Sequence, residues 1–154
     1  MSLPTLGFED DTTLSKIEIA RLQLIEAIAL FVQTKFLPAV TLAGAAEEIL
    51  GKLLALRSKL PVINDSVQAI ERLRTDKGLN AMDGRNGTEM IRDWNTVRNM
   101  LKHLVGPEDE PVTLNLCDEA YWMIRRAVEN ADRLGLRIDN KQEFENWVII
   151  NVNM

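Results

Sequence analysis

Met90-Ile91-Arg92-Asp93-Trp94-Asn95-Thr96-Val97-Arg98-Asn99-Met100-Leu101-Lys102-His103 is the stretch that decides the fold. Met90, Trp94, Val97, Leu101 and Leu104 recur at the helical spacing and form one apolar stripe able to seal against a helical core. At about 100° per residue, Arg98 falls on the flank of that stripe, while Asn99 and His103 share the face opposite it. Core packing therefore does not account for His103, the protein's one histidine. Asn86 with Glu89 can cap the start of this helix, and Gly106-Pro107 marks its end, which places His103 in the last turn.

The neighbouring segments follow the same pattern. Leu14 to Lys35 reads as a helix opened by a Ser15/Glu18 capping box and closed before Pro38. Its core stripe is Ile17, Ala20, Leu24, Ala27 and Phe31, and a second stripe of Leu22, Ile25, Ala29 and Val32 suits either the central helix of a bundle or a face turned to a partner subunit. From Ala39 to Ser58 the stripe is Leu42, Ala46, Ile49, Leu53 and Leu56, and Gly44 and Gly51 in register predict close packing against another helix. Asp65 to Lys77, capped by Asp65 with Gln68, reads as a surface helix, and the breaker-rich Gly78 to Gly87 as a mobile loop. Asn115 to Leu134 carries Ala120, Ile124, Ala127, Ala131 and Leu134. After it, Asp139 with Gln142 starts a short final helix, over about 139–150, that docks Phe144, Trp147 and Val148. Four strong stripes predict an all-α, antiparallel four-helix bundle with additional short helices. It forms a single domain over 1–154, with its core in about 14–135.

Composition narrows the function. Hydrophobic residues at 46% and charged residues at 27% describe a soluble globular chain, and no apolar run reaches the length of a membrane span. A net charge of −5 argues against broad affinity for nucleic acid, so any contact with RNA would be local. The N-terminus lacks a basic region followed by an apolar one, and the lone Cys117 has no internal disulfide partner; both predict a cytoplasmic protein. One histidine and one cysteine cannot make a zinc site of the usual kind, so no metal is expected. Gly84/Gly87 lacks the lysine and hydroxyl of a phosphate loop, and Asp83, Asn86 and Glu89 lack the ligand pattern of a calcium loop, so no cofactor is expected either.

Arg98-Asn99-Met100-Leu101-Lys102-His103 remains. A guanidinium can grip a phosphate through two hydrogen bonds, and an imidazole with a pKa of about 6.5 can move a proton at neutral pH. The spacing resembles the R-x(4–6)-H motif of the HEPN superfamily (higher eukaryotes and prokaryotes nucleotide-binding domains), in which a polar residue often follows the arginine, as Asn99 does here. Leu42-Ala43-Gly44-Ala45-Ala46-Glu47-Glu48-Ile49-Leu50 is similar to the early bundle helix of many such domains.

The resemblance implies a metal-independent endoribonuclease that brings two copies of the motif together in a homodimer. In that family, such proteins often serve toxin–antitoxin or other defence systems, with an antitoxin or nucleotidyltransferase partner. His103 would be the general acid/base, Arg98 would hold the phosphate, and Asn99 would orient the histidine or the phosphate. Two other readings stand beside it: a non-catalytic HEPN-like bundle that binds a nucleotide or protein partner, and an unrelated helical bundle. A cleft around His103 rich in Lys and Arg would favour RNA, and an acid-lined one the binding module.

Overall fold

The computed structural model describes residues 4–77 and 86–152. Regular structure in these residues is wholly helical: α1 (Lys16–Val32), α2 (Phe36–Leu56), α3 (Val62–Lys77), α4 (Gly87–Met100), α5 (Leu116–Arg133) and α6 (Lys141–Asn151), with a 3-10 turn at Pro107–Asp109. The expected loop from Gly78 lies, except for its last two residues, outside the described residues. No described helix is long and apolar enough to cross a membrane.

The stripes of α1 and α5 are buried as their spacing predicts. Ala20, Leu24, Ala27 and Phe31 from α1 meet Ala120, Ile124, Ala127 and Ala131 from α5 in one core. The helix between them is α2, which packs along both, so the central position belongs to α2 rather than α1. This also corrects the register of α2. Of the expected stripe Ala46 is buried and Leu42 and Ile49 pack partly on the core, but Leu56 is exposed, and the more deeply buried line is Val40, Ala43, Glu47, Leu50 and Leu54. Because α2 is apolar nearly all round, two stripes fit its sequence equally well, and only its neighbours select one. The second stripe of α1 is partly covered, since Ile25 and Val32 pack against the core while Leu22 stays exposed.

Helix ends differ from expectation for identifiable reasons. Ser15 caps α1, its side chain accepting from the Glu18 N–H. That helix stops at Val32 because Thr34 turns left-handed, with φ 62°, and the N–H groups of Thr34 and Lys35 close back on Phe31 and Leu30. Pro38 lies inside the first turn of α2, where its missing N–H costs nothing, and so ends no helix. Ser58, at φ 55°, repeats the left-handed stop after α2, and Gly135, at φ 69°, after α5. Asp65 is not the cap of α3; the helix begins at Val62 after Pro61, and Asp65 in its first turn holds Arg133 at 2.8 Å. Asp139 is not the cap of α6 either, because it lies 3.5 Å from Arg21, and Asn140 precedes the helix instead. The Asn140 side-chain amide donates to the Ile25 carbonyl, tying α6 to α1. Phe144 is then fully buried, and Phe31 meets Phe144 and Trp147 edge-on at 5.4 and 4.5 Å, contacts worth about 0.5–1.5 kcal/mol each beyond their buried area.

The helix that carries the motif, α4, begins with the capping box expected of Asn86 and Glu89. Met90 is fully buried against its neighbours, and Val97 and Leu101 pack partly on the core. The far end departs from expectation. Helical hydrogen bonding closes at Met100, Lys102 N–H folds back to the Asn99 carbonyl, and Leu104 and Val105 are exposed. Gly106 is extended and leads into the 3-10 turn, so Gly106-Pro107 shapes the following loop rather than stopping α4.

Candidate functional site

Arg98 is placed by α4 in the last turn of the helix, and it points inward. Its Nη1 donates to Glu47 Oε2 at 2.8 Å, with the two side chains only 11% and 4% exposed. The Arg98 stem lies close against the α2 backbone. A Cβ on Gly44 would stand 2.8 Å from Arg98 Cγ, so the glycine is what lets the arginine stem lie across α2. The other oxygen of Glu47, Oε1, accepts from Arg126 Nη2 at 2.8 Å. Arg126 also donates to Asn95 Oδ1 at 2.8 Å and to the Trp94 carbonyl at 3.3 Å. One carboxylate on α2 thus joins an arginine from α4 and another from α5, and Asn95 and Trp94 of α4 complete the tie. The Nε atoms of Arg98 and Arg126 are buried without a partner, so the network is held by terminal nitrogens alone.

This geometry limits what Arg98 can do chemically. A two-pronged grip on phosphate needs two N–H groups aimed at one accessible anion. Arg98 would have to leave Glu47, giving up a charge-assisted hydrogen bond of about 1.5–3 kcal/mol while Arg126 stayed on the carboxylate. A phosphate brought in beside it would also face the Glu47 carboxylate.

The other two motif residues lie outside the core. Asn99 is exposed on α4. His103 is exposed beyond the end of the helix, not in its last turn, and among the described residues it makes no hydrogen bond or ion pair. The shared face with Asn99 is lost because the helical rotation ends at Met100. The structure therefore does not join Arg98 and His103 into one pair: the first is engaged inside the bundle and the second is in solvent. Between them, Lys102 lies 3.7 Å from Glu48, whose carboxyl is held below its usual range chiefly by a hydrogen bond from Lys52. No group of three or more potential metal ligands occurs among the described residues. Burial, with Asp118 adding to it, pushes the Cys117 thiol up and so disfavours its thiolate.

Next to the ion-pair network, α3, α4 and α5 enclose a cleft of about 470 Å³, lined by Trp94, Trp122, Asp93, Glu119, Glu129 and Arg126 among others. His103 is not on its wall. Neither Glu47 nor this cleft is anticipated by the motif. A signal for Glu47 does exist, since it is the one charge on the line Val40, Ala43, Glu47, Leu50 and Leu54, but it is readable only once that line is known to be buried. Among known proteins, no family model matches the chain, and no curated protein or solved structure matches it.

Proposed function

We propose that this chain is a HEPN-like bundle, built on antiparallel main helices, that acts as a binding module for a protein partner and does not itself cleave RNA. The observation that carries this reading is the Arg98–Glu47 pair at 2.8 Å, which commits to the fold the cation that cleavage would need. The acid-rich cleft beside it supports a protein or cationic ligand over a nucleotide, because phosphate is repelled by Asp93, Glu119 and Glu129. The reading places the protein in the cytoplasm and needs no cofactor.

The endoribonuclease reading is favoured by one specific observation, the solvent-exposed imidazole of His103. It requires a homodimer that sets two motifs against each other over RNA and draws Arg98 away from Glu47. In that case a toxin–antitoxin or defence role, with an antitoxin or nucleotidyltransferase partner, would follow. Purified protein incubated with RNA in EDTA separates the two. The binding-module reading expects no turnover. Cleavage that leaves 2′,3′-cyclic phosphate ends and disappears in His103→Ala would replace it with the nuclease.

A further inference from the structure

The cleft between α3, α4 and α5 has the wall chemistry of a site for an organic cation. Its two arginines are spoken for: Arg125 is held by Glu145 at 2.6 Å and Arg126 by Glu47 at 2.8 Å. Glu145 balances Arg125 and Glu47 is shared between Arg126 and Arg98, while Glu119 and Glu129 line the cleft and make no hydrogen bond or ion pair among the described residues. With Asp93, Glu119 and Glu129 beside Arg125 and Arg126, the wall carries more carboxylates than guanidiniums. Glu119 is half-buried, and burial pushes its carboxyl up, with Asp118 adding to the rise and Arg126 opposing it, so an arriving positive charge would meet a carboxylate short of compensation.

The aromatic part of the wall points the same way. Trp94 and Trp122 come from α4 and α5 and both line the cleft. A guanidinium or ammonium over an indole face gains from the ring quadrupole, and Val97 and Met123 on the same wall suit its methylene stem. Trp122 is 60% exposed, an apolar surface at the rim that a small free amine would leave uncovered and a polypeptide would bury.

We infer that this cleft receives a basic side chain, arginine or lysine, carried by a partner protein. The inference rests on the binding-module reading and gives it a place and a ligand chemistry. The volume of about 470 Å³ is ample for one such side chain and its flanking backbone. Long-range attraction to the carboxylates would make the association sensitive to salt.

Titration of the full chain with blocked pentapeptides bearing arginine, lysine or citrulline at the centre tests this, read by calorimetry and by tryptophan fluorescence. Trp147 is packed on Phe31 away from the cleft, so a ligand-dependent change reports Trp94 or Trp122. Saturable binding of the arginine or lysine peptide is expected, with none by the neutral citrulline peptide. Glu119→Gln should weaken it by about tenfold or more, and raised salt should weaken it further. Trp122→Ala, at an exposed position outside the buried core, should also weaken it and keeps the test open if Glu119→Gln misfolds. No saturable binding at millimolar peptide, equal binding of citrulline, or indifference to both substitutions would overturn the site. Agmatine binding as tightly as the peptide would overturn the protein source. RNA turnover in EDTA is a separate outcome that strikes the binding-module reading, whereas a failed titration strikes only the cleft.

Discussion

Arg98 on α4 and Glu47 on α2 stand 51 positions apart in sequence and 2.8 Å apart in space, and the same Glu47 carboxylate reaches Arg126 on α5. α4 approaches α2 closely at few positions, and this shared carboxylate is a buried polar tie between the motif helix and the core. A residue whose spacing to His103 suggests catalysis is thus a strut of the fold.

The two glycines of α2 should respond oppositely to alanine. A Cβ at position 44 would lie 2.8 Å from Arg98 Cγ, near the root of a side chain that Glu47 holds at its far end, so Gly44→Ala must move α4. A cost of about 1–3 kcal/mol is expected. At position 51 the nearest atom is Asn130 Nδ2 at 3.6 Å, an ordinary contact, and Gly51→Ala should gain about 0.5–1 kcal/mol from helix propensity. Urea denaturation of both variants checks the contrast; equal effects would mean that α4 does not cross at Gly44.

Two helices end on left-handed residues that carry a Cβ. Thr34, at φ 62°, and Ser58, at φ 55°, occupy positions where glycine relieves strain of about 1–2 kcal/mol per residue. Part of that gain is returned as unfolded-chain entropy. Thr34→Gly should therefore raise stability by roughly 0.5–1 kcal/mol, or about 1–4 °C in Tm for a chain of this size, with Ser58→Gly smaller because serine is not β-branched. Lower melting temperatures in calorimetry would contradict the assigned helix ends.

Much of this architecture was legible in the sequence, and the failures share a cause. Polar residues on three sides of α5 leave one possible stripe, and Ala120, Ile124, Ala127 and Ala131 are buried accordingly. α2 has too few polar residues to rank Leu42/Ala46/Ile49 against Val40/Ala43/Leu50; both contribute to the core, and a stripe drawn through the first alone leaves out Glu47. The Asn86/Glu89 cap is local and was readable, whereas the end of α4 at Met100 has no glycine to announce it. Arg98 and His103 are visible as a spacing, but the partner that decides what Arg98 does lies on another helix.

Glu119 should make stability depend on pH in a definite direction. Its carboxyl is raised in the folded state above its ordinary value near 4.5, mainly by burial. As pH climbs from the unfolded to the folded pKa, the unfolded state has already lost its proton while the native state still holds it, so this group lowers stability with rising pH. Glu119→Gln should melt higher than the parent at pH 7 and lose that advantage below the unfolded pKa, even as it weakens the binding of a basic peptide. A variant less stable at pH 7 would show that Glu119 already has a favourable partner.

A double-mutant cycle on Glu47→Gln and Arg98→Met, followed by denaturation with circular dichroism, addresses the central claim most directly. If Arg98 is a strut, removing it leaves Glu47 with Arg126 as its one remaining cation, so Arg98→Met should cost about 1.5–3 kcal/mol. The double variant should be less destabilised than the two single losses together, with a coupling of about 1–3 kcal/mol. Were Arg98 kept free for a substrate, its loss would leave stability unchanged or improved, and a coupling within about 0.5 kcal/mol of zero would contradict the account.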